Sequence, residues 1–77
     1  MSRDVLVFFA ENLRRRRKEL GLSQEQLGAR ADIQMADISR YESGSRDPRI
    51  TTVARLADAL EVSIGDLLQA SADGRVS

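Results

Sequence analysis

The chain has 77 residues, 42% of them hydrophobic and 31% charged, a composition that fits one small folded domain and leaves no room for a second core. It contains neither cysteine nor histidine, which excludes disulfide frameworks, cysteine nucleophiles, Ser-His-Asp triads and the usual zinc sites. Twelve basic residues balance twelve acidic ones, yet residues 1–49 hold ten basic against eight acidic residues and residues 50–77 hold two against four. The zero net charge of the whole chain argues against a strongly anionic partner, whereas the excess of basic residues in residues 1–49 argues for one.

No segment of the sequence is long and apolar enough for a membrane helix. The longest uninterrupted apolar run is Val5–Ala10, whereas a membrane-spanning helix needs about 20 residues. No charged start followed by a cleavable apolar segment is present either. We therefore expect a cytoplasmic protein, with which the absence of cysteine is compatible.

The first two helices are predicted from apolar periodicity and from cap residues. Apolar residues recur at helical spacing and no stretch alternates long enough to indicate a strand, so the fold class is all-α. Helix 1 is expected to begin near Ser2 or Asp4 and to end at Leu20, just before a glycine. Helix 2 follows Ser23, which forms a capping-box pattern with the glutamine three residues later, and ends near Ala31.

Three more helices follow. Helix 3 is predicted to follow a cap at Gln34 and to end near Ser43 and Gly44, and the turn-forming segment Ser43–Arg49 is expected to be a loop. Helix 4 has an apolar face that consists of Ile50, Val53, Leu56, Ala57 and Leu60. Helix 5 begins after Ser63 with the same cap pattern as helix 2. Residues 1–70 are thus predicted to form the domain, and residues 71–77 a flexible tail.

Four sequence blocks between Leu13 and Leu68 together match the pattern of one protein family. A match of four blocks in order is more specific than a match of a single short motif. The blocks are Gly21–Leu27, Ile38–Gly44, Arg46–Pro48 and Leu56–Ser63. In this order and spacing they resemble the Cro/repressor-like (XRE) helix-turn-helix family. The resemblance implies a compact five-helix, lambda-repressor-like DNA-binding domain with its helix-turn-helix at helices 2 and 3. It also implies double-stranded DNA as the partner and Gln34–Glu42 as the recognition helix. We expect neither a cofactor nor a metal.

Two positions depart from the pattern of this family. Its members often place glycine in the turn between the two motif helices and Ser or Thr at the cap of the recognition helix, where this chain has Asp32 and Gln34. Aspartate tolerates a left-handed backbone better than most residues, so the turn is expected to form at some cost. Gln34 cannot form the compact serine-type cap and is left free to point elsewhere.

The basic run Arg14–Lys18 lies in helix 1. Successive helical residues are about 100° apart, so the five side chains encircle the helix and cannot share one surface. We interpret the first two and the last of them as a solvated face. Arg17 lies on the apolar stripe, where an unpaired charge is costly, and it therefore needs a partner. The resemblance nominates Glu42, at the end of the recognition helix, for a structural ion pair.

Phosphate contacts are predicted at the start of helix 2 and in the long loop. Gln24 offers amide donors beside the positive end of a helix dipole, which favours a phosphate contact over the alternative of a plain helix former. Ser43, Arg46 and Arg49 are predicted to contact neighbouring phosphates, although polar residues are usual in any loop.

Base contacts are predicted on the outer arc of helix 3. Ile38 must face the core together with Tyr41 or Glu42, which leaves for the bases Gln34, Met35, Asp37 and Arg40. Arg40 has the donor pair that matches guanine O6 and N7. Asp37 can accept a hydrogen bond from cytosine N4, or it can cap its own helix instead.

The last helix carries three apolar residues, Ile64, Leu67 and Leu68. Leu67 is expected to complete the monomer core, and Ile64 and Leu68 are predicted to form a dimer interface. Helix-turn-helix domains commonly bind as two-fold dimers whose recognition helices lie one duplex turn, about 34 Å, apart.

The predicted function is a sequence-specific DNA-binding regulator of transcription that binds a palindromic or pseudopalindromic operator as a homodimer. The alternative is an antitoxin-type protein-interaction module whose DNA binding serves autoregulation. An enzyme is the weakest interpretation, because the sequence offers no catalytic constellation and no glycine-rich phosphate loop.

Overall fold

The computed structural model describes residues 1–70, which form five helices and no strand. The helices are α1 (Arg3–Glu19), α2 (Gln24–Ala31), α3 (Met35–Glu42), α4 (Ile50–Leu60) and α5 (Ile64–Leu68). The prediction of an all-α, five-helix domain is confirmed. The predicted flexible tail, residues 71–77, lies outside the described residues.

Serine caps fix where three of the helices begin. Ser2 accepts a hydrogen bond from the Val5 amide at the start of α1. Ser23 and Ser63 each form a complete capping box, in which the hydroxyl accepts from the third amide of the helix and the side chain at that position accepts from the serine amide. Hydrogen bonds from the backbone and side chain of Ser63 hold the pKa of Asp66 below the ordinary aspartate value. This contribution to stability is therefore lost as the pH falls through that lowered pKa.

One apolar core lies among the helices. Helix α1 packs against α3, α4 and α5, and α2 packs against α3 and α4. Phe9 of α1 meets Tyr41 of α3 edge to face, with the ring centroids 6.0 Å apart. Leu67 is buried, as predicted. The core cluster consists of Phe9, Leu13, Leu27, Ala31, Ile38, Tyr41, Val53, Leu56, Ala57, Leu60 and Leu67.

The predicted place of Ile50 in the core is wrong. Ile50 is 58% exposed, whereas Val53, one turn further along α4, is fully buried. Ile50 is the first residue of α4 and follows the cap residue Arg49, so it extends beyond the end of the core. Periodicity identifies the apolar face of a helix but not the point along the axis at which the core ends.

Asn12 fastens α5 to α1. Its side-chain Nδ2 donates to the carbonyl oxygens of Leu67 at 3.0 Å and of Gln69 at 2.8 Å. Carbonyl groups at a helix C-terminus have no partner within the helix, so this buried amide satisfies two of them. The sequence pattern did not single out Asn12, because a polar residue on an apolar stripe gives no sign of its partner.

Helices α2 and α3 approach each other closely at Gly28. The Ile33 amide donates to the Gly28 carbonyl at 2.9 Å, and a Cβ on Gly28 would collide with the Ile33 carbonyl oxygen. The obstacle is backbone, which cannot move aside without opening the turn that sets the angle between the two helices. Glycine is therefore required here for space and not for its backbone freedom.

We predict that Gly28→Ala lowers the free energy of unfolding by about 1–3 kcal/mol, the usual result of overpacking a filled site. The matched control is Gly65→Ala in α5, where the new Cβ would meet only Ser63 Oγ at an ordinary 3.7 Å. Chemical denaturation of both variants measures the difference. Equal stability of the two variants would contradict the close approach at Gly28.

Candidate nucleic-acid interface

A left-handed residue turns the chain from α2 into α3. Asp32 has φ 59° and ψ 48°, so aspartate occupies the conformation for which glycine is usual. Arg55 of α4 donates to the Asp32 carbonyl oxygen at 2.7 Å and to its carboxylate at 3.2 Å. Gln34 occupies the N-cap position of α3, but its side chain forms no capping hydrogen bond and is exposed. Both departures from the family pattern thus leave a tight turn intact.

A buried ion pair joins α3 to α1. Arg17 Nε donates to Glu42 Oε2 at 2.6 Å and Arg17 Nη2 donates to Glu42 Oε1 at 2.9 Å, in a two-point arrangement. The side chains are only 10% and 4% exposed. Arg17 Nη1 also donates to the Leu22 carbonyl at 2.8 Å. The hydrogen bond to Glu42 is the main cause that raises the pKa of Arg17 above its ordinary value, against a smaller opposing effect of burial.

Gln24 shares the acceptor of this pair. Its Nε2 donates to Glu42 Oε1 at 3.1 Å, so the glutamine that opens α2 is oriented by the carboxylate that ends α3. A side-chain amide has two N–H donors, and the second is not used by this bond. The Ser23 hydroxyl caps the third amide of α2, whereas the first two amides, of Gln24 and Glu25, have no acceptor within the helix. The start of α2 can therefore still donate to an anion, as the sequence predicts.

The outer side of α3 is open to solvent. Ile38 and Tyr41 are buried and Glu42 is held by Arg17, so both alternatives for the inner face are realised. Three predicted base-contact residues, Gln34, Met35 and Arg40, are exposed, and Asp37 is half-buried. Helical geometry places Ala36 and Ser39 on this outer side as well, and both are exposed. Sequence reasoning missed these two because neither carries a distinctive donor or acceptor.

Asp37 does not cap its own helix. Its Oδ1 accepts from Arg40 Nη1 at 3.2 Å and from Arg46 Nη1 at 2.8 Å. One carboxylate thus contacts a predicted base-contact arginine and a predicted phosphate-contact arginine. The chain separation of nine residues to Arg46 gave no signal for this contact in the sequence.

The other predicted phosphate contacts lie at both ends of the loop. Ser43 Oγ donates to the Arg40 carbonyl at 3.0 Å and lies 2.9 Å from Ser45 Oγ, so its hydroxyl helps to end α3. Arg49 is the cap residue of α4, is exposed, and forms no ion pair among residues 1–70. A shallow groove above the Arg17–Glu42 pair is lined by Arg14, Gln24, Ser39 and Ser43.

The basic run of α1 does not form one patch. Arg16 Nε donates to the Leu60 carbonyl at 3.0 Å, and Arg17 is buried. Arg15 and Arg16 both form ion pairs with Glu19. Arg14 and Lys18 are exposed. The run therefore supplies far less free positive charge than its sequence suggests.

The predicted dimer residues differ in exposure. Ile64 is 36% exposed, whereas Leu68 is half-buried against the core.

Among residues 1–70, no helix is long and apolar enough to span a membrane, and no group of His, Cys, Asp or Glu residues is placed to hold a metal ion.

A short helix, a tight turn and a second short helix with an open outer side define a helix-turn-helix protein. The profile of the helix-turn-helix family matches residues 13–67. The chain belongs to this XRE-type family of DNA-binding transcriptional regulators, and the predicted family resemblance is confirmed.

Curated relatives carry regulator names. The uncharacterised HTH-type transcriptional regulator y4dJ of Sinorhizobium fredii is 37% identical over 65 residues, which are 84% of this chain and 84% of that protein. The cryptic phage CTXphi transcriptional repressor RstR of Vibrio cholerae is 35% identical over 57 residues, 74% of this chain and 51% of the repressor. In three curated relatives the match spans only 45% to 59% of their length.

A solved structure has the same fold. It is the restriction-modification controller protein C.AhdI from Aeromonas hydrophila, with a TM-score of 0.77 and 32% identity. The match covers 80% of this chain and 94% of the controller. The lambda-repressor-like five-helix arrangement is therefore shared with a protein of similar size.

We predict that Glu42→Gln lowers the free energy of unfolding by about 3 kcal/mol, because it leaves the buried Arg17 guanidinium without its counter-charge. In a domain of this size that loss corresponds to a melting temperature lower by more than about 10 °C. The matched control is Glu19→Gln, which removes the same charge from an exposed pair and is expected to change stability by no more than about 0.5 kcal/mol. An unchanged melting temperature for Glu42→Gln would count against the pair.

Proposed function

We propose that the protein is a sequence-specific regulator that occupies a palindromic or pseudopalindromic operator as a homodimer, with α3 in the major groove of the duplex. The observation that carries the proposal is the open outer side of α3, held away from the core by the Arg17–Glu42 pair. A major groove about 12 Å wide admits one α-helix. The repressor and controller names of the relatives support control by occupation of an operator.

Four side chains are proposed to read base edges. Arg40 suits guanine O6 and N7, Gln34 suits adenine, Asp37 can accept from cytosine N4, and Met35 can pack on a thymine methyl group. The place of Met35 is compatible with this role, since the side chain is 52% exposed at the start of α3.

Four further side chains are proposed to bind phosphates on either side of α3: Gln24, Ser43, Arg46 and Arg49. Gln24 lies at the start of the helix-turn-helix and the other three residues lie after its end. We propose that they meet the duplex backbone on the two sides of the groove. Such contacts fix the register of the protein on the duplex without reading its sequence.

Dimerisation through Ile64 and Leu68 is proposed as the source of the two-fold symmetry. A dimer would cover the exposed part of Ile64, and two-fold helix-turn-helix dimers in general hold their recognition helices about one duplex turn apart. We further propose that the chain has no catalytic activity and acts in the cytoplasm on DNA.

Arg40→Ala is expected to weaken binding by about 1–3 kcal/mol and to relax the preference at a single base position. Arg49→Ala serves as the comparison, since loss of a phosphate contact weakens binding to all sequences alike and lowers the salt slope by about one per subunit. Selection of bound sequences from a random duplex library, followed by titration at two salt concentrations, measures both. A uniform loss for Arg40→Ala would make Arg40 a phosphate contact, and failure of the wild-type chain to enrich any sequence would refute the proposed function.

Ile64→Glu is expected to shift the protein from dimer to monomer in sedimentation experiments, because it places a charge at the centre of the proposed interface. Val7→Glu is the matched control, at a comparably exposed apolar position on α1. A wild-type mass that stays monomeric at every concentration would contradict dimerisation through this face.

A further inference from the structure

Asp37 is an acidic side chain on the side of the protein that is proposed to meet an anionic duplex. Its Oδ1 accepts from Arg46 Nη1 at 2.8 Å and from Arg40 Nη1 at 3.2 Å. The three side chains are between 32% and 52% exposed, so the cluster stands at the surface. Surface ion pairs contribute little to stability. Stability therefore gives no sufficient reason for a carboxylate at this place.

The loop is built so that Arg46 returns to α3. The Ser45 amide donates to the Arg40 carbonyl at 3.0 Å, and Ser43 Oγ donates to the same carbonyl. The backbone that leads into Arg46 is thus fastened to the end of the recognition helix. Arg46 then extends back over the helix to a carboxylate nine residues earlier in the chain.

The Asp37 carboxylate accepts hydrogen bonds from both arginines, as a phosphate of the duplex would. Arginine binds carboxylates and phosphates through the same planar donor geometry. A duplex acceptor must compete with Asp37 for either arginine, and the duplex also brings its own phosphates close to the negative charge left behind. A guanine edge offers Arg40 two acceptors, whereas a base pair without them offers no equivalent.

We propose that Asp37 is a specificity-determining positioning residue, which holds Arg40 and Arg46 in the free protein and thereby penalises every duplex that lacks the matching acceptors. This inference rests on the proposed function, since it explains how the same surface rejects nonspecific DNA. It assigns Asp37 an action through two arginines in addition to any direct contact with a base. Removal of the carboxylate should release both arginines to bind phosphates of any sequence.

The test compares Asp37→Asn with the wild-type chain on the selected operator and on a random duplex of equal length. For Asp37→Asn we expect the affinity for the random duplex to rise about fivefold, the upper end of what one surface ion pair is worth, and the ratio of operator affinity to random-duplex affinity to fall by at least a similar factor. The salt slope on the random duplex should steepen by about one to two per subunit, because each released arginine can neutralise one more phosphate.

The matched control is Asp47→Asn, which removes the same charge from the residue next to Arg46 in the same loop. Asp47 contacts the Met1 amino group and neither of the two arginines. An equal rise for Asp47→Asn would show a general charge effect and overturn the proposal. In an Arg46→Gln background the effect of Asp37→Asn should shrink, and an undiminished effect would equally overturn it.

A measurement without DNA separates this inference from the proposed function. Nuclear magnetic resonance of the free protein reports rotation about the Cζ–Nε bond of each arginine. We expect this rotation to be slower for Arg46 in the wild-type chain than in Asp37→Asn. Equal rates would overturn the role of Asp37 whether or not the protein binds DNA, whereas slower rotation together with no operator binding would refute only the proposed function.

Discussion

The buried pair of Arg17 and Glu42 is the constraint on which the rest of the interface depends. It ties the last residue of α3 to the last turn of α1 and orients Gln24 at the start of α2 through a shared carboxylate oxygen. A buried charge without its partner costs several kcal/mol, so the three helices cannot rotate independently without a large loss. Ile38, Tyr41 and this pair hold the inner side of α3 against the rest of the domain, so the opposite side of the helix stays open to solvent.

Three other arginines of the motif region serve the fold by binding helix ends. Arg16 donates to the Leu60 carbonyl and Arg30 to the Ala59 carbonyl at the end of α4, and Arg55 donates to Asp32 at the end of α2. Cations at helix C-termini satisfy carbonyl groups and favour the dipole. The zero net charge of the chain is therefore no argument against DNA. What matters is which few cations remain at the surface around α3, among them Arg40 and Arg49.

Local signals in the sequence predicted the helices well. Capping serines, apolar periodicity and the loop at Ser43–Arg49 predicted five helices, and the starts of α2 and α5 lie at the predicted capping serines. The exposure of Ile50 escaped prediction because the limit of a core is a tertiary property. The bonds from Asn12 to α5 and from Asp37 to Arg46 escaped for the same reason, since they join residues that no local pattern relates. The residues proposed to touch DNA were chosen by family resemblance and chemical type, and they remain predictions.

The most direct test of the central claim is a chemical-shift map of the free chain titrated with its selected duplex. If α3 enters the major groove while the Arg17–Glu42 pair holds its inner side, the largest shifts of the backbone amides fall on residues 34–46 and on Gln24. Amides of the buried side of α1 and of α5 should move little. Shifts concentrated on α4 and α5, with α3 unaffected, would contradict the account.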